Sequence, residues 1–237
     1  YCGGDSERAL GQWIAARGIR DKVVVIDKGA HPNADRKRVT WFDITSDLYD
    51  SLARLKTDYI DLYFLHRDDP EVPVGEIVDM LDEHRRAGRI RAYGGSNWTH
   101  ERLQQANEYA TRHRKAPFVA SSPHFSLAEQ CQPQWEGCVS IAGRKGEAGR
   151  NWHTDHRMPV FAWSSLSRGF LSGRYTRPEI ESCTDELDER HFAIYRSPEN
   201  FERLERAFSI AERHGLTVPQ VVIAYLFQQP LDLYAIV

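Results

Sequence analysis

The sequence has no apolar run near the roughly 18 residues that a membrane-spanning helix needs. Its longest candidates are residues 23–26 and the mixed stretch 59–65. A spanning helix is therefore excluded, and no membrane partner is expected. No basic segment followed by an apolar core opens the sequence, so no secretory route is expected either. Only four cysteines are present, Cys2, Cys131, Cys138 and Cys183, and none forms a Cys-x-x-Cys pair. That usage reads as reduced thiols in a cytoplasmic protein. Charge of one sign is also lacking: the net charge is −3, which leaves no basic footprint for nucleic acid. Neither Gly-x-Gly-x-x-Gly after a strand nor Gly-x4-Gly-Lys-Ser/Thr occurs, which removes the two common phosphate-loop signatures. Internal repeats and low-complexity segments are absent. Asn97-Trp98-Thr99 fits the glycosylation pattern, a chance match in a chain without a secretion signal.

What is present is a globular composition. The 237 residues are 41% hydrophobic, 27% charged and 11% aromatic, enough to build a core and too apolar for disorder. The length suits one domain of the α/β-barrel class, residues 1–237. The chain opens on Tyr1 rather than Met and closes on the strand-like Tyr234-Ala235-Ile236-Val237, so both ends read as cut.

Short apolar runs alternate with amphipathic segments. Strands are predicted near residues 22–28, 59–66, 90–94, 118–122, 160–164 and 234–237. Helices are predicted over 40–56, 75–86, 99–114, 199–213 and 219–228. The 40–56 helix carries Ile44, Leu48, Leu52 and Leu55 on one face, and that of 75–86 turns Ile77, Val78 and Leu81 inward. An opening helix is expected to start at Asp5-Ser6-Glu7, to bury Ala9, Leu10, Trp13 and Ile14, and to close at Gly18. Buried strands alternating with helices imply a parallel sheet covered by helices. An eight-stranded barrel and an open doubly wound sheet both fit that count, and the missing phosphate loops weigh against the second. In a barrel the chemistry sits at the C-terminal strand ends. Polar residues stand at those ends: Lys28, His66, Ser96 with Asn97, Ser121 with Ser122, and Trp163 with Ser164 and Ser165.

Four blocks in order resemble the aldo-keto reductases. YCGGDSERALG resembles their tyrosine segment, and YIDLYFLHRDDP their strand ending in the active-site histidine. GRIRAYGGSNWT resembles their Gly-x-Ser-Asn segment, and VFAWSSLSRGFLSGRY their late strand and following loop. The resemblance implies a TIM-type (β/α)8 barrel, with about six of the eight strand–helix units in this chain. It implies a nicotinamide cofactor, NADP(H) in preference to NAD(H), a small-molecule carbonyl substrate, and the conversion of aldehyde or ketone to alcohol. Tyr1, Lys28 and His66 match three members of the family's catalytic Asp-Tyr-Lys-His set; the aspartate would precede residue 1. By the same resemblance Ser96, Asn97 and Ser122 hold the carboxamide, with Ser122 where a glutamine is usual. Trp163 stacks on the nicotinamide, and Ser164, Ser165, Leu166 and Arg168 face the pyrophosphate. The HRD sequence after the second strand also resembles a subgroup attached to another dehydrogenase-like domain.

Carbonyl reduction needs a hydride and a proton, and a phenol near pKa 10 is a poor proton relay at neutral pH. A nearby ammonium favours the phenolate, and a two-unit shift needs only about 3 kcal/mol. Lys28 is the candidate cation, Tyr1 the proton donor, and His66 the donor that orients the carbonyl. An alternative is a non-catalytic, cofactor-binding relative acting as a redox sensor or interaction module. A hydrolase using Asp61 and Glu71 is a third class, without a well-placed carboxylate pair. No metal site is expected: His153, Asp155 and His156 read as a solvated loop, and Cys131 and Cys138 as packing on one helix face. A chain with open sheet edges is expected to self-associate.

Overall fold

A computed structural model describes residues 2–237. The chain divides into two compact units, Tyr1–Ala120 and Ser121–Val237. In the first, α1 (Asp5–Arg17), β1 (Ile26–Gly29), α2 (Trp41–Leu55), β2 (Ile60–Leu65), α3 (Val74–Arg86), β3 (Ile90–Ser96) and α4 (His100–Arg112) follow one another. β1 pairs with β2 and β2 with β3, both parallel. Parallel neighbours need a crossover, and α2 and α3 supply the two here.

The helix boundaries have local causes. Thr40 caps α2 by accepting from the Asp43 amide (3.2 Å), and Thr99 caps α4 by accepting from the Arg102 amide (3.2 Å). Ile44, Leu48, Leu52 and Leu55 of α2 are buried, as are Ile77, Val78 and Leu81 of α3 and Leu103, Ala106 and Ala110 of α4. These are the stripes that a 3.6-residue period predicts.

α1 departs from expectation. Its N-cap is Gly4, with no side-chain cap, and its buried face is Glu7, Gly11 and Ile14. Leu10 and Trp13 are exposed. A Cβ on Gly11 would lie 2.6 Å from the Leu55 carbonyl oxygen, so this glycine lets α1 reach the end of α2. Glu7 then meets Ser51 and Arg54 of α2. Polar bonds and close approach, rather than apolar bulk, choose the buried side.

The second unit carries α5 (Glu147–Asp155), β5 (Val160–Ala162), α6 (Arg177–Glu181), α7 (Glu186–Ala193), α8 (Pro198–His214), α9 (Val218–Phe227) and β6 (Leu233–Ala235); β4 (Ala120–Ser122) enters it. β4 pairs with β5 and β5 with β6, again parallel. Ser197 caps α8, and Thr217 with Gln220 forms a capping box on α9. One core gathers Phe170, Phe192, Tyr195, Phe201, Leu204 and Val222; a smaller one gathers Phe125, Ile141, Val160 and Leu226.

Two expectations are corrected here. Cys131 and Cys138 share no helix, because residues 131–138 are bends and turns set by Pro133 and Gly137. His153 is not in a solvated loop: it lies in α5, is 3% exposed, and its Nδ1 sits 2.6 Å from the Gly149 carbonyl oxygen. No helix among the described residues is long and apolar enough to cross a membrane.

Candidate active site

In the first unit, parallel pairing sets the C-terminal strand ends along one edge. Lys28 pairs with Phe64, Gly29 with Leu65, and Leu65 with Gly95. Lys28, His66, Ser96 and Asn97 therefore stand at nearly the same level along the strands. The His66 amide donates to the Gly29 carbonyl (2.8 Å). The Asn97 amide nitrogen donates to the His66 carbonyl (3.3 Å) and to the Ser96 hydroxyl (3.2 Å). Asn97 is buried and holds φ at 57°, a left-handed conformation that asparagine tolerates better than most residues. Tyr1 lies outside the described residues.

Burial sets the charge states. It pushes the Lys28 ammonium below its ordinary pKa, and the adjacent Asp27 carboxylate opposes this. The Lys28 nitrogen lies over the Phe64 ring, 5.8 Å from its centre. His66 is driven down to about 3, first by burial and then by His31, Arg67 and Lys28. It is neutral at pH 7 and carries one N–H to donate.

Successive residues of a strand face opposite ways. Asp27 accordingly faces the helices. Burial raises its pKa, while a hydrogen bond from Ser51 and the Lys28 amide (2.8 Å, to Oδ1) favour the carboxylate. Glu7 competes for that same Ser51 proton (2.6 Å), and Arg54 completes the Glu7 pair at 3.0 Å. Sequence reading passed over Asp27; its signal was a carboxylate beside a strand-end lysine.

In the second unit, Ser122 ends β4 fully buried, and its hydroxyl donates to the Phe161 carbonyl (2.8 Å). Trp163 follows β5, half-buried and stacked on Trp135 (centroids 5.1 Å, planes 27° apart). Ser165 is buried, with its hydroxyl on the Ala162 carbonyl (3.1 Å). Leu166 packs on the larger core. Ser164, Ser167 and Arg168 all adopt positive φ, near 52–53°, so the loop after β5 is tightly wound. Arg168 is exposed; it donates to Gln134 (2.6 Å) and lies 3.0 Å from a His191 ring nitrogen.

His124 was not foreseen. It is fully buried, with Nδ1 2.8 Å from the Ser140 hydroxyl and Nε2 3.1 Å from the Tyr195 hydroxyl and 3.3 Å from that of Ser126. Burial, then Arg168, holds it down to about 3. Its ring centre lies 5.0 Å from that of Trp163. Only the position of His124, two residues past Ser122, marked it in the sequence.

The model of the aldo/keto reductase family matches residues 1–237. The chain belongs to that family. Aldo-keto reductase YhdN of Bacillus subtilis (strain 168) is 29% identical over 97% of this chain and 65% of its own length. Protein tas of Escherichia coli (strain K12) is 27% identical over 96% of this chain and 69% of its own. A probable voltage-gated potassium channel subunit beta of Arabidopsis thaliana is 24% identical over 97% and 68%. The chain thus spans about two thirds of these relatives, and 65% of the first. Aldo/keto reductases are nicotinamide-dependent oxidoreductases with a (β/α)8-barrel fold. The parallel strand–helix repeats of each unit are those of that fold, with six strands among the described residues.

Proposed function

We propose that this aldo/keto reductase reduces an aldehyde or ketone to an alcohol, with NADP(H) in preference to NAD(H), in the cytoplasm. The observation that carries the reading is the placement of Lys28 and His66 on adjacent parallel strands at one sheet edge, with the His66 amide on the Gly29 carbonyl. The donor set suits the cofactor. A carboxamide has one acceptor and one two-fold donor, and the Ser96 hydroxyl and Asn97 amide offer the complementary groups. Within the second unit, Ser122 offers a hydroxyl, Trp163 a flat ring, and the Ser164, Ser165, Leu166 and Arg168 loop a turn and a guanidinium suited to a pyrophosphate.

The bound nicotinamide supplies the hydride. Tyr1 gives its phenolic proton to the carbonyl oxygen. Lys28 stabilises the phenolate that remains, and Asp27 beside it favours the charged ammonium that this role requires. Neutral His66 donates its N–H to the substrate oxygen and fixes the carbonyl's direction.

NADPH oxidation with a panel of aldehydes tests this. Turnover that falls about 100-fold or more on Tyr1→Phe and on Lys28→Met, with NADPH binding kept, is the expected result. Unchanged turnover in either variant removes that residue from the mechanism. The relative named as a potassium channel subunit beta favours a second reading, a cofactor-binding subunit without turnover. NADPH binding with no reduction of any carbonyl would support it.

A further inference from the structure

Next to the proposed donor, His66, stands a second imidazole to which no role has been given. His31 is exposed and lies beyond the end of β1. Its ring meets that of His66 edge-on, with centroids 4.6 Å apart and planes at 77°.

The segment that presents His31 is built, not loose. Ala30 is fully buried and holds φ at 60°, a left-handed conformation unfavourable for a residue with a side chain. Such strain persists only where surrounding contacts impose it. Here the Ala30 amide donates to Asp47 (2.8 Å). Arg38 grips the same carboxylate with two bonds (2.6 and 3.1 Å) and donates to the His31 carbonyl (3.3 Å). Nδ1 of His31 lies 2.7 Å from the Pro32 carbonyl oxygen, which can only accept, so Nδ1 carries a proton. The turn, the carboxylate and the ring bond together leave His31 one orientation, against His66.

We propose that His31 is a positioning residue, set by the strained Ala30 turn to hold the His66 imidazole in the orientation that donates to the substrate oxygen. This rests on the reading of His66 given above. Two consequences follow from the contact. The edge-to-face packing restricts rotation of the His66 ring. Charge on His31 would also face His66 together with Lys28 from β1 and Arg67 from the following residue, all three disfavouring an imidazolium at position 66.

The test uses the 237-residue protein and His31→Ala, His31→Phe and His31→Gln. His31 is exposed, and the Gln variant leaves a donor for the Pro32 carbonyl, so at least one variant keeps the fold. Two measurements are made. The first is kcat and KM for a test aldehyde from pH 5 to 9, with NADPH affinity. The second is the titration of the His66 ring by NMR on histidine-labelled protein, which needs no turnover. In His31→Ala and His31→Gln, kcat falls up to about tenfold, NADPH affinity stays within about twofold, and the His66 titration moves to higher pH. His31→Phe keeps an edge contact and recovers most of kcat. An unshifted His66 titration in all three variants overturns the inference, whatever the rates do. A shifted titration with no change in kcat also overturns it, because position 66 would then be perturbed without consequence. If the unmodified protein reduces no carbonyl, the functional reading fails separately, and the role in catalysis fails with it.

Discussion

Acid should destabilise the second unit through His124, and the size of the effect can be worked out. His124 is fully buried and its pKa is held down to about 3, against an ordinary value of 6.5. The folded state therefore refuses a proton that the unfolded chain accepts. The stability is complete above pH 6.5 and is lost as the pH falls from there toward about 3. Each pH unit within that window costs about 1.4 kcal/mol. From pH 7.5 to 5.0 the loss from this one residue is about 2 kcal/mol, a large share of a typical 5–15 kcal/mol. Asp27 and Asp68, whose pKa values burial raises, act with the opposite sign, since the folded protein takes up their protons more readily on acidification. Their contribution cancels when the protein is compared with His124→Gln, which keeps a polar side chain but does not titrate. Urea unfolding followed by tryptophan fluorescence suits this unit, because Trp135 and Trp163 stack 5.1 Å apart within it. Between the two pH values the unmodified protein should lose about 2 kcal/mol more than His124→Gln. That is roughly 0.7–1 M in urea midpoint for a slope of about 2–3 kcal/mol/M. Equal losses in the two proteins would show that His124 accepts its proton in the folded state, and the burial argument would fail.

Three further perturbations have defined outcomes. Lys28→Met should raise the apparent pKa in the kcat profile, because the cation that favours the phenolate is gone; a profile of unchanged shape would exclude that role. Gly11→Ala places a methyl 2.6 Å from the Leu55 backbone oxygen and should cost about 1–3 kcal/mol, read as a lower thermal midpoint, despite alanine's better helix propensity. Asp43 is held down to about 2, chiefly by the bond from Arg36 and then those from Thr40 and Arg38. Asp43→Asn should cost about 1–2 kcal/mol at pH 7 after discounting for solvent on Arg36, and the difference from the unmodified protein should vanish as the pH falls from 3.8 toward 2.

Much of the fold was legible because period and burial agree in its helices. Ile44, Leu48, Leu52 and Leu55 repeat every three or four residues and are all buried, so α2 could be placed to within a residue. α1 misled because its buried face holds a glutamate and a glycine, which no apolar count rewards. α5, α6 and α7 were not foreseen, because their sequences are short and polar and lack a sustained apolar stripe. Of the candidate site, the polar residues at strand ends could be read directly, since a strand's last residue is fixed by where its apolar run stops. Asp27, His31 and His124 could not. What marks them is a partner distant in sequence: Glu7 and Ser51 for Asp27, His66 for His31, Tyr195 for His124.

The adjacency of Asp27 and Lys28 shows why that missing information matters. Strand alternation sends the two side chains to opposite faces, so they cannot form a direct, rigid ion pair across the sheet. Asp27 instead acts on Lys28 through the strand, as a charge at short range in surroundings of low dielectric. Its effect depends on whether it is ionised, and that depends in turn on Glu7, whose own charge raises the Asp27 pKa, and on Ser51, whose hydrogen bond lowers it. Arg54 offsets part of the Glu7 charge. A residue on α1 and two on α2 thereby bear on the charge behind a strand-end lysine. Glu7→Gln removes the repulsion without removing volume, so Asp27 should ionise more readily and Lys28 should hold its proton to higher pH. The basic limb of the kcat profile should then move downward, opposite to its direction in Lys28→Met, because a more persistent ammonium favours the phenolate. A basic limb that stays fixed in Glu7→Gln but moves in Asp27→Asn would place the control in Asp27 alone, and the helix layer would be scaffolding only.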